Sequence, residues 1–170
     1  MELIVAKNSN NVIGNNGALM WHISKDLRRF RTLTEHHIVV MGRKTYDSLP
    51  CGPLKNRINV IITRTPTRYS HESSDLYFVT LEDSFSLIHK LKDMYNKSVF
   101  IIGGSEIYRC FYNQCTILHV TRVCDHQHGD THFPISDNEI EVGFNLKHKE
   151  IKHDEKTNVE YSFCTYEKTI

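Results

Sequence analysis

The stretch from Val99 to Tyr108 reads VFIIGGSEIY and contains the signals for a strand, a turn and a helix. Its first four residues are branched or aromatic and apolar, which is typical of a short buried strand. Gly103 and Gly104 then interrupt the apolar run, as expected of a turn. Ser105 follows and begins a segment with apolar residues at helical spacing. The stretch therefore predicts a strand that leads through a glycine turn into a helix.

The same succession recurs along most of the chain. Buried strands are predicted at six short apolar runs, namely LIVA (3–6), IVVM (38–41), NVIIT (59–63), LYFV (76–79), VFII (99–102) and ILHVT (117–121). Helices are predicted from a cap at Ser24 to about Leu33, from Arg43 to about Leu49, after Thr80 and from near Ser105. Because strands alternate with helices, we predict an α/β fold with a mostly parallel central sheet and helices on both faces.

The C-terminal part has a different pattern. FNLKHKEIKH (144–153) and VEYSFCTYEK (159–168) alternate in polarity and flank DEKTN (154–158), which is typical of an antiparallel hairpin. DNEIEV (137–142) is charged and brief, and we predict a solvated loop there. No repeat, low-complexity tract or linker divides the chain, so we expect a single domain over residues 1–170.

Composition and charge disfavour several classes of protein. A chain of 170 residues with 39% apolar and 24% charged residues is typical of one folded domain. The 21 basic and 20 acidic residues create no domain-wide basic field for nucleic acid. No apolar run reaches the roughly 20 residues that span a bilayer, and we expect no targeting signal at the N-terminus. Five scattered cysteines suggest reduced thiols. We expect a cytoplasmic protein without a nucleic-acid or membrane partner.

Two predicted strand–helix junctions contain glycine. One is the turn quoted above, and the other lies in VVMGRKT (39–45), where Gly42 precedes Arg43, Lys44 and Thr45. Glycine lets the backbone approach a phosphate closely, and the N-terminus of the next helix attracts the anion. Two such turns with basic side chains predict a phosphate-binding site. Neither matches G-x-G-x-x-G, which disfavours a standard Rossmann domain.

The residues after the next strand indicate which nucleotide would bind. An NAD site usually has an acid about 20 residues after the glycine turn. Here the strand after Gly42 ends instead in Thr63 and Arg64. With Arg43 and Lys44, this corner of the sheet suits a 2′-phosphate, so we predict NADP(H) over NAD(H). The alternative is that these cations are solvated loop residues.

Asp26 lies beside Leu27 and near Phe30 in the stretch LMWHISKDLRRF (19–30). One interpretation is that an acid two residues after a capping Ser24 complements the helix dipole. The other is that Asp26 faces a cleft, where loss of water would raise its pKa. Its position alone favours the role at the helix dipole.

The 11 histidines raise the possibility of a metal site. The segments CTILH (115–119) and CDHQHGDTH (124–132) bring six candidate ligands close in sequence, namely Cys115, His119, Cys124, His126, His128 and His132. A structural zinc needs four ligands that converge on one point, and no C-x-x-C pair occurs. We therefore predict no metal site.

Taken together, the motifs resemble those of the dihydrofolate reductase family. They are VIGNNGALMWHISKDLRRFR (12–31), VVMGRKTYDSL (39–49), PLKNRINVIIT (53–63), VFIIGGSEIY (99–108), LHVTRV (118–123) and GDTHFP (129–134), in the family's order and spacing. The resemblance implies NADPH-dependent reduction of dihydrofolate to tetrahydrofolate, by hydride transfer to C6 and protonation at N5, in support of one-carbon and thymidylate metabolism. It also implies a monomer that binds dihydrofolate and antifolates such as methotrexate.

The resemblance implies a role for each matching residue. Asp26 would be the carboxylate that holds the pterin, with Trp21 orienting a water and Thr121 hydrogen-bonding the acid. The implied substrate-binding residues are Ile4, Ala6, Leu27, Phe30, Leu54, Arg57, Ile102 and Tyr108, with Arg57 taking the α-carboxylate of the glutamate tail. The implied cofactor-binding residues are Ala6, Ile13, Leu19, Gly42, Arg43, Lys44, Thr45, Thr63, Arg64, Gly103, Gly104, Ser105, Glu106 and Ile107.

The resemblance also implies a cis peptide between Gly103 and Gly104, and a mobile lid from about residue 8 to 20 that Gly129 and Asp130 support. Met20 stands where many members have proline. The segment LPCGPLKNR (49–57) also departs from the commoner form.

Two alternatives to the folate enzyme stay open. One is a cofactor-binding scaffold with this fold, and the other is a reductase that acts on a different pterin or on a flavin precursor. The presence of both Asp26 and Arg57 favours the folate enzyme.

Overall fold

Eight strands form the central sheet of the computed structural model, which describes residues 1–69 and 73–169. The described strands are β1 (Glu2–Asn8), β2 (Val12–Asn15), β3 (Ala18–Leu19), β4 (Ile38–Gly42), β5 (Ile58–Ile62), β6 (Leu76–Val79), β7 (Val99–Gly103), β8 (Ile117–Val123), β9 (Thr131–His132), β10 (Phe144–Asp154) and β11 (Val159–Lys168). The described α-helices are α1 (Ser24–Thr34), α2 (Arg43–Asp47), α3 (Leu81–Tyr95), α4 (Ser105–Phe111) and α5 (Asp137–Gly143).

The strand order in the central sheet is β10-β11-β8-β1-β7-β4-β5-β6. The six strands from β8 to β6 in this order run parallel, whereas β11 is antiparallel to β8 and β10 is antiparallel to β11. The predicted α/β fold, with a mostly parallel sheet and a C-terminal hairpin, is confirmed. The carboxyl ends of the parallel strands share one edge of the sheet, which is where such sheets bind ligands.

Alternate side chains of the parallel strands enter two apolar layers. On β1, Leu3 and Val5 pack on the face that α3, α4 and α5 cover. Ile4 points to the other face, which α1 and α2 cover. Period-two alternation in a buried strand requires apolar residues on both faces. Helices therefore cover both faces of the sheet, as predicted.

The predicted cap of α1 is wrong by one residue. Ile23, not Ser24, is the N-cap, and its carbonyl accepts a hydrogen bond from the backbone N–H of Leu27 at 3.1 Å. Ile23 is buried in a cluster with Trp21 and Tyr161. Burial of this side chain sets where the chain enters the helix, and no side chain caps the turn. Asp26 is therefore the third residue of α1.

The prediction of a solvated loop at 137–142 is wrong, because these residues form α5. The Ser136 hydroxyl accepts a hydrogen bond from the backbone N–H of Glu139 at 3.2 Å, and the Glu139 carboxylate accepts one from the backbone N–H of Ser136 at 2.8 Å. This reciprocal pair is a capping box. Ile140 is fully buried beneath the helix. The spacing of Ser136 and Glu139 is the signal that the pattern analysis missed.

Ion pairs also attach α5 to the sheet. Asp137, the first residue of α5, pairs with Lys7 of β1 at 2.5 Å and with Arg122 of β8 at 2.7 Å. The side chain of Lys7 is only 1% exposed, and a buried ammonium group requires a partner of this kind. These contacts join residues distant in sequence, so local patterns gave no sign of them.

The segment predicted to form a lid contains β2 and β3. These two strands and β9 form a small second sheet with the order β3-β2-β9. The side-chain carboxylate of Asp130 accepts a hydrogen bond from the backbone N–H of Asn16 at 2.9 Å. A Cβ atom at Gly129 would lie 2.5 Å from the carbonyl oxygen of Gly14, so only glycine allows this approach. The predicted support of residues 8–20 by Gly129 and Asp130 is thus seen as direct contact.

All five cysteines are free thiols, as predicted. None of the helices in the described residues is both long enough and apolar enough to cross a membrane.

Candidate active site

Asp26 points from the first turn of α1 toward the sheet. Its Oδ1 atom accepts a hydrogen bond from the hydroxyl of Thr121 at 2.6 Å, and Thr121 is only 1% exposed on β8. Burial raises the pKa of the Asp26 carboxyl above its ordinary value, while the Thr121 hydrogen bond and the nearby Arg29 charge oppose that rise. Asp26 therefore does more than complement the helix dipole.

Partly buried apolar side chains lie near Asp26. Phe30, Leu54 and Ile102 are partly buried and pack against a cluster that contains Ile4. Asn59 holds Leu54 in place, because its side-chain amide exchanges hydrogen bonds with the backbone of Leu54 at 2.9 and 3.0 Å. Leu27 is 42% exposed beside Asp26. A planar ligand with one polar edge matches this combination of apolar surface and a single acid.

Arg57 contacts the C-terminal end of α1, the helix that contains Asp26. Its guanidinium donates to the hydroxyl of Thr34 at 3.1 Å and to the carbonyl of Lys55 at 2.9 Å. Asp26, Phe30 and Thr34 recur every four residues, so they share one face of α1. Eight residues of helix separate Asp26 from Thr34 by about 12 Å.

Trp21 contacts a residue that the sequence analysis did not select. Its indole N–H donates a hydrogen bond to the carboxylate of Asp125, which also accepts from the side-chain amide of Asn8 at 2.9 Å. Asp125 lies two residues beyond the end of β8, at the ligand-binding edge of the sheet. The sequence places Asp125 in the segment CDHQHGDTH (124–132), just after a predicted strand, and this position could have indicated a site residue.

Tyr108 and Gly103 support the centre of the sheet. The Tyr108 hydroxyl donates to the carbonyl of Ile4 at 2.7 Å, and burial raises the Tyr108 pKa. Gly103 has a φ of +109°, and a Cβ atom there would lie 3.0 Å from the Tyr108 ring. Glycine is therefore required at position 103. The peptide between Gly103 and Gly104 is cis, as predicted.

The two glycine turns contact each other at the carboxyl ends of β4 and β7, which are neighbouring strands. A Cβ atom at Gly42 would lie 3.1 Å from Ile107 of α4, and one at Gly104 would lie 3.3 Å from the Thr45 hydroxyl of α2. The α2 and α4 helices thus begin side by side, although about 60 residues separate them in sequence. The structure brings together two turns that the sequence shows only as separate motifs.

Cationic side chains surround the α2 turn. Arg43 pairs with Asp47 at 2.5 Å, Lys44 is exposed, and Arg64 is exposed just beyond β5. Thr63 is buried beside them, and its hydroxyl accepts a hydrogen bond from the backbone N–H of Thr65 at 3.3 Å. This corner combines positive charge with the N-terminus of α2, where no side chain caps the helix.

The remaining residues predicted to bind substrate or cofactor are spread over a wider area. Ala6 is paired with Thr121 across β1 and β8, so both lie at the Asp26 end. Ile13 is partly buried against the opposite apolar layer, and Leu19 is 60% exposed. Ser105 and Glu106 form the first turn of α4, with Glu106 exposed.

The six candidate zinc ligands do not converge. Cys115 is buried in the layer beneath α3 and α4, whereas His119 lies on the α1 face beside Arg29. Cys124 is exposed, and its thiol donates to Glu160. Across residues 1–69 and 73–169, no three His, Cys, Asp or Glu residues are grouped as a metal site.

Comparison with known proteins decides the family. The sequence model described as Dihydrofolate reductase matches residues 1–168. The chain belongs to the dihydrofolate reductase family.

Dihydrofolate reductases from three bacteria align with nearly the whole chain. The enzyme of Bacillus subtilis (strain 168) is 32% identical over 174 residues, covering 99% of this chain and 94% of the relative. Dihydrofolate reductase type 1 of Escherichia coli is 29% identical over 168 residues, covering 99% and 98%. The structure of dihydrofolate reductase from Enterococcus faecalis, complexed with NADP(H) and RAB-propyl, has a TM-score of 0.82 and 26% identity, covering 99% of this chain and 96% of that one.

Membership of the dihydrofolate reductase family establishes the class of reaction. The chain is an NADP-dependent oxidoreductase that reduces dihydrofolate to tetrahydrofolate.

Proposed function

We propose that this dihydrofolate reductase binds the pterin of its substrate at Asp26 and the glutamate tail at Arg57. The observation that supports this proposal is the shared face of α1, which places Thr34 about 12 Å along the helix from Asp26. Arg57 is bonded to Thr34, and Phe30 lies between the two ends. A substrate with a hydrogen-bonding head, an apolar middle and an anionic tail fits this arrangement.

The Asp26 carboxylate recognises the pterin and promotes its protonation. A pterin presents adjacent N–H donors at one edge, and an ionised carboxylate accepts two parallel hydrogen bonds from such an edge. Because burial raises the pKa of Asp26, the group also holds a proton more readily than a surface acid does. Thr121 fixes the orientation of the carboxylate. Trp21, whose indole N–H donates to Asp125, would orient a water at the edge of this site.

The two abutting glycine turns would hold NADPH. When bound, this cofactor supplies the hydride, so the protein needs no nucleophile of its own. The backbone donors at the starts of α2 and α4 suit the pyrophosphate, while Lys44, Thr63 and Arg64 suit a 2′-phosphate. Ala6 lies on β1, between β8, which contains Thr121, and β7, which contains Ile102 and ends at Gly103. Alignment of the two reactants is the main catalytic contribution of the fold.

Dihydrofolate reduction at this site is tested by following NADPH absorbance after addition of dihydrofolate. We expect rapid oxidation that methotrexate, at stoichiometric concentration, abolishes. Oxidation with a tailless pterin or a flavin precursor, but not with dihydrofolate, would indicate the alternative reductase. NADPH binding without oxidation of the cofactor by any of these substrates would indicate the scaffold.

The cofactor preference provides a second prediction. We expect Arg64→Met to weaken NADPH binding by about 1.5–3 kcal/mol, or roughly 10- to 150-fold, because a charge-assisted contact with the 2′-phosphate is lost. NADH affinity should change little. Fluorescence titration of the protein with each cofactor measures both constants.

Arg109→Met is the matched control for this titration. Arg109 is also exposed, but it lies in the last turn of α4, away from the glycine turn. An equal loss of NADPH and NADH affinity in Arg64→Met would contradict the assignment.

We also propose that residues 1–170 act as one catalytic domain, as a cytoplasmic monomer without nucleic-acid or membrane partners. The near balance of 21 basic and 20 acidic residues supports the absence of a polyanion-binding surface. Five free thiols suit a reducing compartment.

A further inference from the structure

We propose that Arg29, held in place by His119, is a positioning residue that keeps Asp26 available as a carboxylate. This inference rests on the proposed role of Asp26 in substrate binding. It concerns a cation and a histidine that the mechanism above does not use.

Arg29 and Asp26 lie about one turn apart on α1, and both contact β8. The two residues are three apart on α1, so their side chains are neighbours on one helix face. Thr121 and His119 are two apart on β8, so they point to the same face of the sheet. Asp26 accepts from Thr121 at 2.6 Å, and the Arg29 Nη2 atom lies 3.3 Å from His119 Nδ1. The helix and the strand therefore meet in two adjacent polar contacts.

Two side chains of β11, the strand next to β8, also contact the Arg29 guanidinium. The Arg29 Cζ atom lies 4.8 Å from the centre of the Phe163 ring, which is a favourable cation–π distance. The Arg29 Nη2 atom also donates to the hydroxyl of Thr165 at 3.4 Å. Phe163 pairs with Thr121, and Thr165 pairs with His119, across the β8–β11 ladder. The same strand pairing that supports Asp26 therefore supports Arg29.

His119 connects this pair to a second carboxylate. It is 7% exposed, and its Nε2 atom lies 2.7 Å from the carboxylate of Glu2 on β1. Since Arg29 can only donate, Nδ1 is the acceptor and the neutral Nε2–H tautomer donates to Glu2. Glu2, His119 and Arg29 thus form a continuous hydrogen-bonded chain that ends beside Asp26. The chain limits how far the Arg29 guanidinium can move.

Several other groups interact electrostatically with Asp26 or Arg29. The phenols of Tyr108 on α4 and Tyr161 on β11 interact electrostatically with Asp26, and burial raises the pKa of each phenol. Glu150 of β10 and Cys164 of β11 act on Arg29. Within residues 1–69 and 73–169, Arg29 is the one cation that lowers the Asp26 pKa, against the rise that burial causes. Loss of Arg29 would therefore leave the Thr121 hydrogen bond alone to oppose the rise that burial causes.

The test compares three single variants in the complete enzyme. Arg29→Met removes the charge at similar length, Arg29→Lys keeps the charge, and Arg28→Met makes the same change at the adjacent exposed arginine. We expect the pH profile of the hydride-transfer rate to move to higher pH in Arg29→Met only. The Lys variant should retain most of the wild-type profile, because a cation still faces Asp26.

Direct titration of the carboxyl group gives a second readout. The ¹³C shift of the Asp26 carboxyl in the ligand-free protein should titrate at higher pH in Arg29→Met than in wild type or Arg28→Met. His119→Phe should move the titration in the same direction by a smaller amount, because Arg29 loses one of its anchors. In an Arg29→Met background, His119→Phe should have no further effect.

Each negative result has a distinct meaning. An Arg29→Met profile and carboxyl titration that coincide with those of Arg28→Met would overturn the inference. If Asp26→Asn still shows the wild-type pH profile, Asp26 is not the group that titrates, and the proposed function itself fails instead. If Arg29→Met does not fold, His119→Phe becomes the deciding variant. Wild-type behaviour of His119→Phe in both measurements would overturn the inference but leave the proposed function intact.

Discussion

Replacing Asp26 with asparagine should lower the turnover number near neutral pH by about 10²- to 10⁴-fold, the usual contribution of a positioned acid–base group. An amide cannot hold the proton that the pterin ring requires, and it accepts only one of the two hydrogen bonds that the pterin offers. The Thr121 hydroxyl still has an oxygen to donate to, so the local structure should survive. NADPH affinity, measured by titration, should stay unchanged because the glycine turns lie at the ends of β4 and β7 and not on α1.

The same substitution should stabilise the protein at neutral pH. Burial raises the folded-state pKa of Asp26 above its unfolded value. The stabilising contribution of the group is therefore complete below the unfolded pKa and is lost as the pH rises through the folded pKa. Asparagine has no charge to bury, so the variant should unfold at a higher temperature than wild type above the folded pKa. The difference should disappear in acid, where Asp26 is neutral in both states.

Asp93→Asn is the matched control for both measurements, since Asp93 is an exposed carboxylate on α3. It should leave turnover unchanged, and its melting temperature should stay close to that of wild type. Near-normal turnover in Asp26→Asn would remove this carboxylate from the mechanism. Loss of turnover together with a lower melting temperature at neutral pH would point to misfolding.

Replacing Arg57 with methionine should weaken the binding of dihydrofolate by about 2–5 kcal/mol, or roughly 30- to 5,000-fold. Arg57 is only 9% exposed, and its bonds to Thr34 and to the carbonyl of Lys55 hold the guanidinium in one orientation. A fixed planar fork binds a carboxylate through two hydrogen bonds, and methionine offers none. The loss should raise KM for dihydrofolate more than it lowers kcat, because the tail is remote from the reacting atoms.

A substrate without the glutamate tail makes this prediction specific. With a tailless dihydropterin, wild type and Arg57→Met should react with similar kcat/KM. Arg31→Met is the control, because it removes an exposed cation from the same end of α1 and should change the dihydrofolate KM only slightly. An equal loss for both substrates in Arg57→Met would show a structural effect and not recognition of the tail.

Local sequence patterns gave correct predictions where the residues of a single strand or turn determine its conformation. The run from Val99 to Ile102 is a strand because branched apolar residues fill both faces of a buried sheet, and Gly103 interrupts it with a positive φ. The predictions failed at the start of α1 and over the whole of α5. The N-cap of α1 is Ile23 because burial of that side chain outweighs the preference for serine, and α5 was missed although Ser136 and Glu139 form a capping box.

The sequence by itself determined the kinds of elements, the two glycine turns and the separate motifs that indicate a dihydrofolate reductase. Only the tertiary structure decided which residues meet. Insertion of β7 between β1 and β4 brings the two glycine turns together. Pairing of β8 with β1 and β11 places Thr121 beneath Asp26, 95 positions away, and His119 beneath Arg29, 90 positions away. Helix and strand periodicity extend over only a few residues, whereas strand order and register depend on how the whole sheet buries its two faces.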